Sequence, residues 1–185
     1  MKIKNTITSS LFGLIMTFSN ISFGQTNVFD DVIATSPNHT YLEAALLQEG
    51  LDAALRQNPN CTVFAPDDNA FNNLATALGV TISDLLALPN LSDILIYHVL
   101  NSTVLSTGIS NGAIVNPLST TNTLKLTKTS AGDVYVNHSQ VSTADLTVDN
   151  GVVHVVSELL LPDETVADIA IDNGFTTLVT AVVQE

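Results

Sequence analysis

The chain has one cysteine, Cys61, and no tryptophan. A single thiol cannot close an intramolecular disulfide, so the body must hold by packing even if it is exported. Cys61 also heads an apolar run, and the nearest basic residue, Arg56, lies on the far side of Asn58 and Pro59, which fits a small buried hydrophobe better than a reactive thiol. Basic residues are scarce: five Lys and Arg stand against eighteen Asp and Glu, a formal net charge of −13. Nucleic acid and anionic membranes are therefore poor partners. Aromatic residues make up 5% of the chain against 45% hydrophobic residues, which leaves Leu, Val, Ile and Ala to build the core. No apolar run is long and unbroken enough to read as a membrane span, and no membrane insertion is expected. Phosphate-binding loops, H-E-x-x-H and paired-cysteine metal spacings are missing, so no cofactor and no metal are expected.

What is present begins with an export-type leader over residues 1–24. Lys2 and Lys4 precede the apolar stretch Leu11 to Phe18, and Ser22, Phe23 and Gly24 offer a small-x-small cleavage site. Its short, Lys-led form ending in Phe-Gly-Gln is of the bacterial kind. Removing it takes two of the five basic residues and no acidic ones, leaving three against eighteen, or −15. The remaining length suits one domain with a sizeable core.

Residues 27 to 56 have helical periodicity, with Tyr41, Leu42, Ala45 and Leu46 on one stripe and Gly50 as a stop. Thr81 with Asp84 resembles a capping box, and a further helix carries Leu91, Ile94, Leu95 and His98 on one face. From Val104 the pattern changes to short alternating segments: Ala113 to Val115, Leu124 to Lys128, Val134 to Val136, Val141 to Val148 and Val152 to Val156. Asn111-Gly112, Gly132-Asp133 and Asn150-Gly151 read as hairpin turns. Helices followed by a β meander predict an α+β body, an antiparallel sheet with helices packed on one side. The tail at 164–185 echoes residues 28–50, with Asp168 matching Asp31, Leu178 matching Leu42 and Ala181 matching Ala45. It reads as the start of a second copy, hence further repeats.

The stretch "TVFAPDDNAF" at 62–71 places two acids between apolar anchors. Pro66 ends a β-prone run because it cannot donate to a ladder. Asp67 is placed to cap a helix through the N–H of Asn69 or Ala70, and Asp68 sits in its first turn, where the helix dipole favours negative charge. Pro66 and Phe71 fall at hydrophobic-staple positions. Adjacent acids at a helix start diverge, and neither has a His or a third acid at ligand spacing, so an architectural role is expected rather than acid/base or metal chemistry.

These residues resemble the first signature of the fasciclin domain, marked here by Thr62, Phe64, Pro66, Asp67, Asp68 and Phe71. "ILIYHVL" at 94–100 resembles the family's Tyr-His segment. "NGVVHVVSELLLP" at 150–162 resembles its second signature, with Gly151, His154, Leu161 and Pro162. The similarity covers residues 27–162. It implies a fasciclin-like fold, an antiparallel β wedge or sandwich with helices packed on one side. It also implies a secreted, non-catalytic module that binds a cell-surface or extracellular protein or polysaccharide in adhesion or matrix contact. Asp67 stands where the family usually has Thr or Ser, and Ser157-Glu158 where an Asp is common. Tyr97 and His98 are the binding residues that the resemblance suggests. A passive spacer in a multidomain surface protein is the alternative.

Individual side chains yield further expectations. His98 lies on an apolar stripe, as a buried imidazole bonded to a neighbouring element would. His154 shares a strand face with Val152 and Val156, with Asp68, Ser157 or backbone carbonyls as candidate partners, and either His154 or His98 is expected to tie the second signature to the first. No G-x-S-x-G elbow is expected, and although Ser, His and Asp are all present, none stands in a recognisable nucleophile context. "DLTVDNG" at 145–151 lacks the ligand period and closing Glu of a calcium loop. Asn38, Asn60, Asn90, Asn101 and Asn137 begin N-glycan acceptor triplets, which matter only in a host that glycosylates.

Overall fold

The computed structural model describes residues 25–119 and 122–162. The leader and the echo at 164–185 lie outside the described residues. A π-helical turn at Val28–Ile33 opens the body, followed by helices α1 (Thr40–Gln48) and α2 (Asp52–Gln57), strand β1 (Cys61–Pro66), and helices α3 (Asp68–Leu78), α4 (Ile82–Leu86) and α5 (Leu91–Tyr97). Strands β2 (Val99–Leu100), β3 (Ala113–Val115), β4 (Leu124–Lys128), β5 (Val134–Val136), β6 (Ser139–Val148) and β7 (Gly151–Val156) complete it. The five alternating segments become β3 to β7. No described helix is long and apolar enough to cross a membrane.

The strands form one sheet in the order β2-β1-β7-β6-β5-β4-β3. Its pairs are antiparallel with one exception: β1 runs parallel to β7 from Cys61 opposite Gly151 to Pro66 opposite Val156. The α+β class therefore holds, and the expected antiparallel sheet carries one parallel pair that makes it mixed. Alternation shows which residues share a face but not which strand lies alongside, and β1 and β7 are separated by most of the domain. Both strands are buried at every position, as a central parallel pair should be. The two ends of the sheet approach each other: Leu118 N–H donates to Val99 O at 2.7 Å, and Leu100 bridges Pro117. The sheet thus curls towards a barrel, which keeps the β2 edge from lying open.

Two cores follow from the pleat. Cys61, Val63, Ala65 and Val153 face the helices, where they meet Leu42, Leu46, Phe71, Ile94 and Leu95. Phe64 and Val156 face the inside of the curled sheet with Tyr97, Leu124, Leu126 and Val136. Helices thus cover one side, as expected.

Local signals explain most boundaries. Asp67 Oδ1 accepts the Ala70 N–H at 2.9 Å, Thr81 and Asp84 form a reciprocal capping box, and Gly79 ends α3 at φ 67°. The hairpin reading of Asn150-Gly151 is shifted by one residue: Val148 pairs with Gly151, so Asp149 and Asn150 form the loop and Gly151 begins β7. Gly151 is needed there because a Cβ would overlap the Cys61 carbonyl oxygen and come within 2.9 Å of Cys61 Sγ. A hairpin missed in the sequence joins β5 to β6 at Asn137-His138, with Asn137 at φ 52°.

Candidate functional site

The chemistry-bearing side chains gather where the two signatures meet. Asp67 caps α3, as its position predicts. Asp68 does more than sit in the first turn. Its Oδ1 accepts the Tyr41 N–H at 3.0 Å and its Oδ2 the Thr40 hydroxyl at 2.8 Å, while its own N–H donates to Asn38 O at 2.8 Å. Helix α1, whose N-cap residue His39 makes no side-chain cap bond, thereby takes its cap from α3. The adjacent acids thus start two different helices. His39 is 5% exposed, with Nδ1 2.6 Å from Ser36 Oγ and no hydrogen bond at Nε2 among the described residues. Burial lowers its pKa, and the charges of Asp67 and Asp68 only partly oppose this.

Beside this joint, His98 is 2% exposed. Its Nδ1 lies 2.7 Å from Ile94 O and its Nε2 accepts the Leu160 N–H at 2.9 Å. A backbone donor on Nε2 fixes the neutral tautomer with the proton on Nδ1. Burial pushes the pKa down to about 4 despite the Ile94 bond. The expected bond to a neighbouring element is the one to Leu160, next to Leu161 and Pro162 of the second signature. Phe64 N–H donates to His98 O at 2.9 Å, so His98 links both signatures. Thr62 adds another link: its hydroxyl donates to Ser102 O at 2.6 Å and accepts the Val104 N–H at 2.9 Å.

Tyr97 points away from the stripe of Ile94 and Leu95, as helical spacing predicts. It enters the second core rather than water. The residue is 1% exposed, and its hydroxyl donates to Thr123 O at 2.9 Å. Neither Tyr97 nor His98 presents a surface to a partner. Each ring is an interior group whose polar end bonds backbone.

His154 departs from the expected partners. Neither Asp68 nor Ser157 bonds it; it stacks on Phe64 at 5.7 Å, donates from Nε2 to Val104 O at 2.8 Å and accepts the Asp145 N–H at Nδ1, 3.2 Å away. The expectation of a backbone carbonyl is met by Val104. Asp145 can reach His154 because β6 carries a register shift between Thr143 and Leu146 that leaves Asp145 at φ 60° with its N–H turned out of the ladder. The Asp145 carboxylate then takes the Ser106 N–H at 2.8 Å and the Ser106 hydroxyl at 2.5 Å, and Lys128 Nζ donates to Ser106 O at 2.9 Å. Burial raises the Asp145 pKa, but the two Ser106 bonds and the nearby His154 and Lys128 outweigh it and leave the group below its ordinary value.

Ser106, Asp145 and His154 therefore bring the letters of a hydrolytic triad together with the wrong connectivity. In a working triad the imidazole accepts the serine proton. Here Ser106 donates to the carboxylate, and both imidazole nitrogens bond backbone. The letters G-x-S-x-G do occur, as Gly108 to Gly112, but they lead from a 3-10 turn at Ser106–Gly108 into the edge strand β3 and not from a strand into a helix. Cys61 is buried, and burial pushes its thiol up, away from reactivity. No group of three or more His, Cys, Asp or Glu among the described residues could hold a metal ion.

Asp145 and Ser106 were not legible as partners in the sequence, although the "DLTVDNG" stretch marked the region. Asn150 was legible only as a turn residue. It holds three segments, accepting the Val28 N–H at 2.9 Å and donating to Leu55 O at 2.7 Å and Asn58 O at 3.2 Å. On the outside, Leu47, Leu105, Ile114 and Leu118 are exposed apolar residues, and a cavity of about 50 Å³ lies among Leu46, Leu55, Leu95, Val99 and Leu118.

The fasciclin domain model matches residues 37–162. Protein sll1483 of Synechocystis is 32% identical over 71% of this chain and 72% of its own length. Transforming growth factor-beta-induced protein ig-h3 of Sus scrofa is 33% identical over 90% of this chain, and human periostin 33% over 67%. The chain spans 24% and 14% of those two proteins. Among solved structures, a FAS1 domain pair from the insect cell adhesion molecule fasciclin I superposes with a TM-score of 0.62 at 17% identity, covering 74% of this chain and 51% of that one. The shared fold, the signature residues and the matched span place this chain in the fasciclin domain family.

Proposed function

We propose that the chain is an exported, non-catalytic adhesion module that binds a protein or polysaccharide at the cell surface or in an extracellular matrix. The observation that carries this reading is how the signature side chains are used. Asp67, Asp68, His98, His154 and Asp145 each bond a backbone N–H or carbonyl, and the Ser106 hydroxyl is held by Asp145, which leaves recognition to the outer faces and loops. Similarity to ig-h3 and periostin supports the same class. Tyr97 and His98 enter this reading as residues that set the surface above them. Residues 164–185 are taken as the opening of another repeat, a view supported by the ig-h3 similarity, which runs over 172 residues and so extends past one domain. Repetition would raise avidity for a multivalent partner without new contacts.

The test is binding of the immobilised chain to intact cells and to matrix proteins and polysaccharides. Saturable binding that free chain competes away is the expected result. Its absence across the panel would favour a passive spacer. Ester turnover lost in both Ser106→Ala and His154→Ala would overturn the non-catalytic part.

A further inference from the structure

A groove runs along α3. Leu74 and Ala77 line one side and Leu159 and Leu161 the other, while His138 and Glu158 stand at the rim, with His138 Nε2 3.1 Å from Glu158 Oε2. The cavity measures about 210 Å³. Leu74 and Ala77 reach the same wall because residues three apart share a helix face. Ala77 is exposed and Leu74 half-buried, so the helix offers aliphatic surface beside a carboxylate.

We propose that this groove takes a lysine or arginine side chain from a basic segment of a partner protein, with the methylene stem along the leucines and the charged head on Glu158. This occupant deepens the adhesive reading, on which it rests, by making the partner a cationic protein. Long basic side chains lay their stems on apolar surface and keep the head at a polar edge, and the groove has that arrangement. Charge decides between occupants. The chain has eighteen acidic residues against five basic ones, and no Lys or Arg among the described residues lines the groove. Its field draws a cationic segment and repels an acidic polysaccharide or a second copy of the same charge. Two of the body's own bases are engaged elsewhere, Arg56 by Asp30 and Asp52 and Lys128 by Ser106 O. His138 holds the carboxylate only weakly: its side chain is 72% exposed and that of Glu158 51%, and a pair so exposed contributes little. A partner's ammonium or guanidinium replaces it while covering the leucines, and so gains both contacts at once.

The probe is the peptide hexalysine, titrated into the full chain with hexaglutamine as the uncharged control. Methyl spectra should show saturable shifts at Leu74, Ala77, Leu159 and Leu161 with hexalysine and none with hexaglutamine. Affinity should fall at least about fivefold in Glu158→Gln and in Ala77→Leu, which fills the groove. It should stay within about twofold in Asp149→Asn, which removes one charge beyond the other end of β7. Equal losses in Glu158→Gln and Asp149→Asn, or shifts scattered over the acidic surface, would mean attraction to net charge alone and overturn the proposal, as would equal shifts with hexaglutamine. Dimerisation abolished by Ala77→Leu would give the groove to a second copy instead. The same variants in the cell and matrix assay keep the two readings apart. Undiminished binding by Glu158→Gln and Ala77→Leu sinks the groove and leaves adhesion standing, whereas an unaltered chain that takes hexalysine at the groove but binds no cell or matrix polymer sinks adhesion alone.

Discussion

The carboxylate of Asp68 accepts the backbone N–H of Tyr41 at 3.0 Å, so a residue in the first turn of α3 caps α1 from 27 positions away. Asp67, its neighbour, caps α3 itself. Two adjacent acids serve two helix starts because successive side chains at a helix N-terminus point in different directions.

Replacing Asp67 or Asp68 by Ala should each cost about 1 kcal/mol in urea unfolding. Asp68→Asn should recover much of the loss, since an amide oxygen can accept the same N–H. Near-additive losses in the double variant would confirm two separate caps; coupling well above ~0.5 kcal/mol would show one shared network.

His98 predicts a pH dependence. Its folded pKa, about 4, lies below the ordinary value of 6.5, so the unfolded chain takes up a proton first as pH falls. The stabilisation is complete above pH 6.5 and is lost between 6.5 and about 4, by roughly 3 kcal/mol in total. His39, whose pKa burial also lowers, adds a loss in the same direction as pH falls below 6.5, whereas Asp30, Asp84 and Asp145, whose pKa values are lowered, add losses only at still more acid pH. Unfolding midpoints of wild type and His98→Gln across pH 4 to 7 test this: the variant should be less stable at pH 7 and flatter across that window.

Gly151→Ala should be among the most damaging single changes, costing more than about 2 kcal/mol, because the new Cβ meets the Cys61 carbonyl across the parallel pair. Gly132→Ala, in open space at φ 99°, should cost only about 1 kcal/mol. Thermal unfolding of the two variants side by side separates crowding from backbone strain.

Asp145→Ala should release the 101–112 loop. A loss of about 1–3 kcal/mol is expected, since two bonds to a charged acceptor vanish. Amide exchange at Ser106 and Gly108 should accelerate more than exchange in α3. Uniform acceleration throughout the body would instead mean that Asp145 supports the whole fold.

The Thr81/Asp84 capping box, the Asp67 cap, the Gly50 stop and the strands from Ala113 onward were readable because each signal lies within a few residues of the element it sets. His98 was readable as buried because its helical stripe is apolar. The Thr123 acceptor for Tyr97 and the Val104 acceptor for His154 were not readable, because they lie 26 and 50 residues away.

By itself, then, the sequence determined the elements, the helix starts and the family to which they belong, since capping, alternation and signature residues act locally along the chain. Only the tertiary structure decided that β1 lies parallel to β7, that Asp68 serves α1, and that Ser106, Asp145 and His154 form a brace instead of a triad. Those outcomes depend on which distant segments become neighbours when the sheet curls and the helices close over one face, and side-chain periodicity carries no information about that choice.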